Sequence, residues 1–207
     1  MATTAAPYGA RPIGTTSAAG SFTGMVRHLP IITTYDTAIF NGDFVKLVAN
    51  GTIEKDAGTA TLAAVGVFLG CAYTDPTSGQ MTFSDQWPAL NAATDAVAYV
   101  LDDPNVVFQM QADDGTGLYN TDRGLNAAVV QTAGSTSIGK SKNSLDRSST
   151  NTTLTLPLRI IDFVDGPKSL RPKGTTVSDA YPDVIVKFNA ASTFTASPHS
   201  YNNPTGL

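Results

Sequence analysis

The apolar residues of this chain arrive in short runs, and almost every run is cut off by Gly, Pro, Asn or Asp. No stretch of about ten residues or more carries a capped 3.6-residue period, apart from a weak pattern at 122–130. Chains of this kind fold as antiparallel hairpins, because a strand needs only a few alternating residues and a turn needs residues that accept unusual backbone angles. The expected class is all-β: a β-barrel or β-sandwich built from short antiparallel hairpins.

Three hairpins are predicted. Asp43-Phe44-Val45-Lys46-Leu47-Val48 and Thr52-Ile53-Glu54-Lys55 flank Asn50-Gly51, the pair that a type I′ turn favours. Val65 to Tyr73 leads through Asp75-Pro76-Thr77-Ser78-Gly79 into Gln80-Met81-Thr82-Phe83. Ala96 to Leu101 meets Asp102-Asp103-Pro104-Asn105 and leaves as Val106 to Gln111. Gly66 and Gly70 mark places where a strand bulges or another backbone comes close. Leu154 to Val164 reads as a strand whose first half is held out of the ladder by Pro157, and Val184 to Phe188 as the last strand.

The ends differ from the middle. Residues 1–24 and 190–207 are rich in Ala, Gly, Ser, Thr, Asn and Pro, so they are expected as an extended N-terminal arm and a C-terminal tail around a β-domain at 25–189. Within that domain, 132–153 and 165–182 are expected as long loops. Only 14% of the 207 residues are charged, which leaves a polar, weakly charged surface suited to lying against other protein. The net charge of -4 offers no attraction to phosphate backbones or anionic lipid, so neither nucleic acid nor membrane is expected as a partner. No apolar run reaches the length of a membrane span, and the start has no leader pattern, so synthesis in the cytoplasm is expected.

Gly134-Ser135-Thr136-Ser137-Ile138-Gly139-Lys140-Ser141 matches the phosphate loop G-x-x-x-x-G-K-[ST] letter for letter, and Asp162, after Leu158 to Ile161, is a possible magnesium holder. That loop works only when a helix starts at the Lys, because helix N-terminal amides supply most of the binding. The residues after Lys140 are too polar and turn-prone for a core-packed helix, so a polar surface loop is expected instead. Asp102-Asp103 and Asp113-Asp114 adjoin Pro or Gly and read as turn chemistry. His28 and His199 lie at opposite ends of the chain, and the single Cys71 sits in an apolar run as a buried thiol. Trp87 and the scattered Tyr residues read as core and interface. No catalytic, cofactor or metal-binding set is expected, and the chain is not expected to be an enzyme.

Gly42 to Leu47, Gly51 to Lys55 and Val65 to Gly70 together resemble the strand, turn, strand pattern of the capsid cement (head decoration) proteins of tailed phages. Ala5 to Pro12, Gly70 to Pro76 and His199 to Gly206 are similar to segments of small virion structural proteins of marine phages, including cyanophages. The resemblance implies a homotrimer on the outside of the virion that binds assembled major capsid protein and strengthens the shell. A head-fibre, neck or tail component with a host-surface role is the alternative. In either case Tyr8, Pro12, Ile13 and Phe22 in the arm, and Phe194 and Tyr201 in the tail, are candidate anchors for contact with a partner.

Overall fold

The structure, a computed structural model, describes residues 4–16, 25–113, 115–166, 172, 176, 178–189 and 199–200. The described strands, in chain order, are β1 (Arg11–Thr15), β2 (Val26–Pro30), β3 (Ile39–Phe40), β4 (Phe44–Leu47), β5 (Ile53–Lys55), β6 (Gly66–Thr74) and β7 (Met81–Ser84). They continue as β8 (Gln86–Trp87), β9 (Val97–Leu101), β10 (Val106–Gln111), β11 (Asn126–Val130), β12 (Ser144–Asn151), β13 (Leu158–Phe163) and β14 (Asp183–Phe188). No α-helix occurs among the described residues; the weak helical pattern at 122–130 becomes a short 3-10 turn at Asn120–Asp122 followed by β11.

Two six-stranded antiparallel sheets result, neither closed into a barrel, so the sandwich is the correct member of the expected pair. The first runs β1-β10-β14-β13-β11-β12. The second runs β2-β9-β6-β4-β5, with β7 also on β6. Alternation along the strands places Phe108, Met110, Val184, Val186 and Phe188 of the first sheet against Phe44, Val67 and Leu101 of the second in one buried cluster. Phe188 lies at its centre, edge-on to Phe44 at 5.7 Å and to Phe108 at 5.6 Å. The second sheet buries its other face as well: Val45, Ile53, Phe68, Cys71 and Val100 pack with Ile39 and Trp87 of the small β3–β8 ribbon. Strands buried on both faces read as continuous apolar runs, which explains the unbroken Val65 to Tyr73 stretch.

The β4–β5 and β6–β7 hairpins form as expected, with a difference in the first turn. Only Gly51 takes a positive φ, 81°, and its N–H donates to the Val48 carbonyl at 2.8 Å. The turn is therefore one that needs the left-handed region at a single glycine, not the type I′ form with two such residues. Gly66 meets its expectation of close approach, since a Cβ there would lie 2.1 Å from the Leu101 carbonyl oxygen. The β6–β9 register shifts between Phe68 and Gly70, where the bulge was expected.

Three expectations are corrected. β9 and β10 are not a hairpin: the Asp102–Asn105 turn carries the chain from one sheet to the other. The 132–153 loop ends early, because Ser144–Asn151 is strand β12, anchored by buried Leu145 while its remaining side chains are polar and mostly at the surface of an edge strand. Within the expected arm, Arg11–Thr15 is extended but paired antiparallel with β10, and Ala10 is buried in the core. Pro157 precedes β13; its carbonyl accepts from the Asn189 N–H at 2.8 Å, one step beyond the Leu158–Phe188 pair, while its missing N–H can return no bond.

Candidate functional site

The loop that imitates a phosphate site is the natural place to look for chemistry, and its geometry is settled by one acid. Asp43, fully buried, follows Gly42 in the turn between β3 and β4. Its Oδ1 accepts from Ser141 Oγ at 2.6 Å and from Asn143 Nδ2 at 3.2 Å. Its Oδ2 accepts from the Phe40 N–H at 3.0 Å and pairs with Lys55 Nζ at 3.0 Å. A buried carboxylate is tolerable only when its lone pairs are filled in this way.

The same contacts draw in the N-terminal segment. Gly9 N–H donates to the Asn143 carbonyl at 3.1 Å and Ala10 N–H to the Gly42 carbonyl at 3.0 Å. Gly9 has φ 78° and a Cβ there would lie 2.5 Å from Ser141 Cβ, so only glycine fits. Phe40, Lys55, Ser141 and Asn143 thus converge on one carboxylate, and residues 9–10 are bonded to the backbone beside it, at Gly42 and Asn143.

In a phosphate loop the backbone amides point at the ligand. Here several of them donate to the protein's own carbonyls instead. Ser135 N–H donates to the Lys140 carbonyl at 2.9 Å, Gly139 N–H to the Ser135 carbonyl at 2.9 Å and Ser141 N–H to the Asn41 carbonyl at 2.9 Å. Lys140 Nζ pairs with Asp85 at 3.0 Å, and β12, not a helix, begins at Ser144. Asp162, the acid weighed as a magnesium holder, pairs with Arg123 at 2.8 Å.

The remaining candidates are also engaged. Asp102 is buried and bonded to Arg27, while Asp103 accepts from the Asn105 N–H at 2.8 Å, as turn chemistry requires. Asp113 accepts from the Arg147 N–H at 3.0 Å; Asp114 lies outside the described residues. Burial pushes the Cys71 thiol pKa up to about 12, which leaves it protonated at neutral pH. Trp87 is fully buried, edge-on to Tyr73 at 5.4 Å. His199 is fully buried 5.0 Å from Phe188, and Ser200 N–H donates to the Ala64 carbonyl at 2.9 Å, so this part of the tail returns to the core. Among the described residues no group of three or more His, Cys, Asp or Glu could hold a metal ion.

The structure separates the proposed anchors. Tyr8 is half-buried, and burial together with the Asp183 carboxylate raises its phenol well above the ordinary pKa. Pro12 is half-buried in β1 opposite Phe108, and Ile13 is 40% exposed, the most available of the three. Phe22, Phe194 and Tyr201 lie outside the described residues. Sequence reasoning missed the role of Asp43; the available signal was an acid at the head of a β-forming run, a position that burial turns into a demand for partners. Comparison with known proteins found no family model, no curated protein and no solved structure that matches the chain.

Proposed function

We propose that the chain is a structural virion protein that binds the outer surface of a tailed-phage head and stabilises the shell. The observation that carries this reading is the structural engagement of the polar groups that offered chemistry. Asp43, Ser141, Lys140, Asp102 and Asp162 each hold two parts of the fold together. A sandwich held together in this way presents a rigid, weakly charged surface, which suits a protein that works by contact. The resemblance of Gly42 to Leu47, Gly51 to Lys55 and Val65 to Gly70 to head decoration proteins supports assembled major capsid protein as the partner.

Quantitative mass spectrometry of purified particles tests the reading. A head-stabilising protein is present in hundreds of copies, and purified protein added to heads lacking it raises the temperature at which they release DNA. A few copies per particle would place the chain in a head fibre, neck or tail instead, and absence from particles would overturn both readings.

A further inference from the structure

Sheet edges are where a β-protein most readily pairs with another chain, because the outer N–H and C=O groups of the last strand have no ladder partner. Five strands form the edges of the two large sheets: β1, β12, β2, β5 and β7. Four are protected. β1 carries Arg11, Pro12 and a register shift; β12 carries Asp146 and Arg147; β2 carries Arg27 and Pro30; β5 carries Glu54 and Lys55. β7, Met81-Thr82-Phe83-Ser84, has no charge, no proline and no bulge.

Its register decides which groups face outward. Asp75 N–H donates to the Gln80 carbonyl at 2.9 Å, and antiparallel pairs alternate between bonded and non-bonded. The bonded pairs with β6 are then Thr82 with Tyr73 and Ser84 with Cys71. The N–H and C=O groups of Met81 and Phe83 therefore point away from β6, and among the described residues no other strand pairs with β7. Their side chains are exposed too: Met81 by 60% and Phe83 by 73%, the highest value among the large apolar residues described.

We propose that β7 pairs antiparallel with β7 of a second copy about a two-fold axis at Thr82. In this register Met81 of each copy faces Phe83 of the other, and the outward N–H and C=O groups of these residues form four backbone hydrogen bonds. The thioether sits across from the aromatic ring, a favourable contact. Ser84 faces Gln80 and Asp85 faces Gly79, so no like charges are opposed. An axis one residue later, at Phe83, would set Met81 against Asp85, whose carbonyl already accepts from the Asn41 N–H at 2.9 Å. The self-complementary register and the absence of charge select a second copy over a different partner, and the contact is closed, as two-fold contacts are, so it gives a dimer in place of the homotrimer that the resemblance implies.

The test needs only the free protein and stands apart from any binding to heads. Light scattering after size exclusion should give twice 21.5 kDa for the full chain. Phe83→Lys should halve that mass, and its thermal midpoint should match the one the wild type reaches when diluted until it dissociates. In a Cys71→Ala background, which removes the single native cysteine, Thr82→Cys should crosslink two copies on mild oxidation, because non-bonded antiparallel pairs bring Cα atoms to about 4.5 Å. Gln80→Cys should not crosslink. A wild-type mass of 21.5 kDa at every concentration, a larger assembly that survives Phe83→Lys, or crosslinking at 80 in preference to 82 would each overturn the proposal. A monomeric wild type destabilised by Phe83→Lys would show that the edge is covered by the chain itself, and would overturn it equally.

Discussion

Ser141 donates a 2.6 Å hydrogen bond to the buried carboxylate of Asp43, 98 residues earlier in the chain. The bond makes the end of a phosphate-loop lookalike into a clamp between the two sheets, and it separates two neighbours in sequence by what they do. Lys140 points outward to Asp85, with side chains 41% and 59% exposed, while Ser141 points into the core network.

Asp43→Ala removes the acceptor for Ser141, Asn143, Phe40 and Lys55 at once and leaves a largely buried ammonium without its counter-ion. The expected loss is about 3–5 kcal/mol, against about 1–3 kcal/mol for Ser141→Ala. Lys140→Ala should change stability by less than about 1 kcal/mol, since exposed pairs contribute little, and neither the variant nor the wild type should show saturable ATP binding by calorimetry. Urea denaturation of the three variants reads the ranking, and a Lys140→Ala loss as large as that of Asp43→Ala would refute it.

Burial lowers the His199 pKa from 6.5 to about 4, with nearby Asp102 and Asp103 opposing the shift only in part. In the unfolded chain this imidazole takes up a proton near its ordinary pKa, so below that pH the unfolded state binds more protons than the folded one. The stability associated with neutral His199 is thus complete above pH ~6.5 and is lost as pH falls toward ~4, by up to about 3 kcal/mol. His199→Gln should be less stable at pH 7 but flatter across this window. Parallel pH profiles of wild type and variant would show no such difference if the ring were already solvated.

Removal of residues 1–16 takes away the strand that pairs with β10, buried Ala10 and the Gly9 bond to Asn143. The expected cost is about 2–4 kcal/mol, visible as a lower thermal midpoint of the isolated protein. An unchanged midpoint would mean that the segment is a free arm.

Phe68 and Val186 lie in different buried clusters, on opposite sides of the second sheet. Phe68→Asp and Val186→Asp each bury an unpaired carboxylate, and each should cost more than about 4 kcal/mol, enough to prevent folding of a marginal domain. Far-ultraviolet circular dichroism and light scattering of both variants provide the check; native-like spectra would exclude a shared cooperative unit.

The β class, the β4–β5 and β6–β7 hairpins and the glycine positions in β6 were legible because each is a local matter of alternation and turn residues. The Asp102–Asn105 turn announces that the chain reverses, yet nothing local says which sheet receives it. β1 and β12 were hidden for a related reason. An edge strand needs few apolar residues, and Arg11–Thr15 and Ser144–Asn151 owe their pairing to β10 and β11. The absence of a helix after Lys140 was readable from composition; the partnership of Ser141 with Asp43 was not, since it depends on contacts that only the folded chain brings together.

The placement of β14 has a kinetic consequence. The second sheet uses strands from residues 26–101, whereas the first has its C-terminal strand, Asp183–Phe188, between β10 and β13. A ribosome delivers that strand after every other described one, so the nascent chain can assemble the second sheet while β10 and β13 still lack the neighbour that joins them. The first sheet closes only once Asp183–Phe188 has emerged, in a long-range step of the kind that makes β-topologies slow to fold.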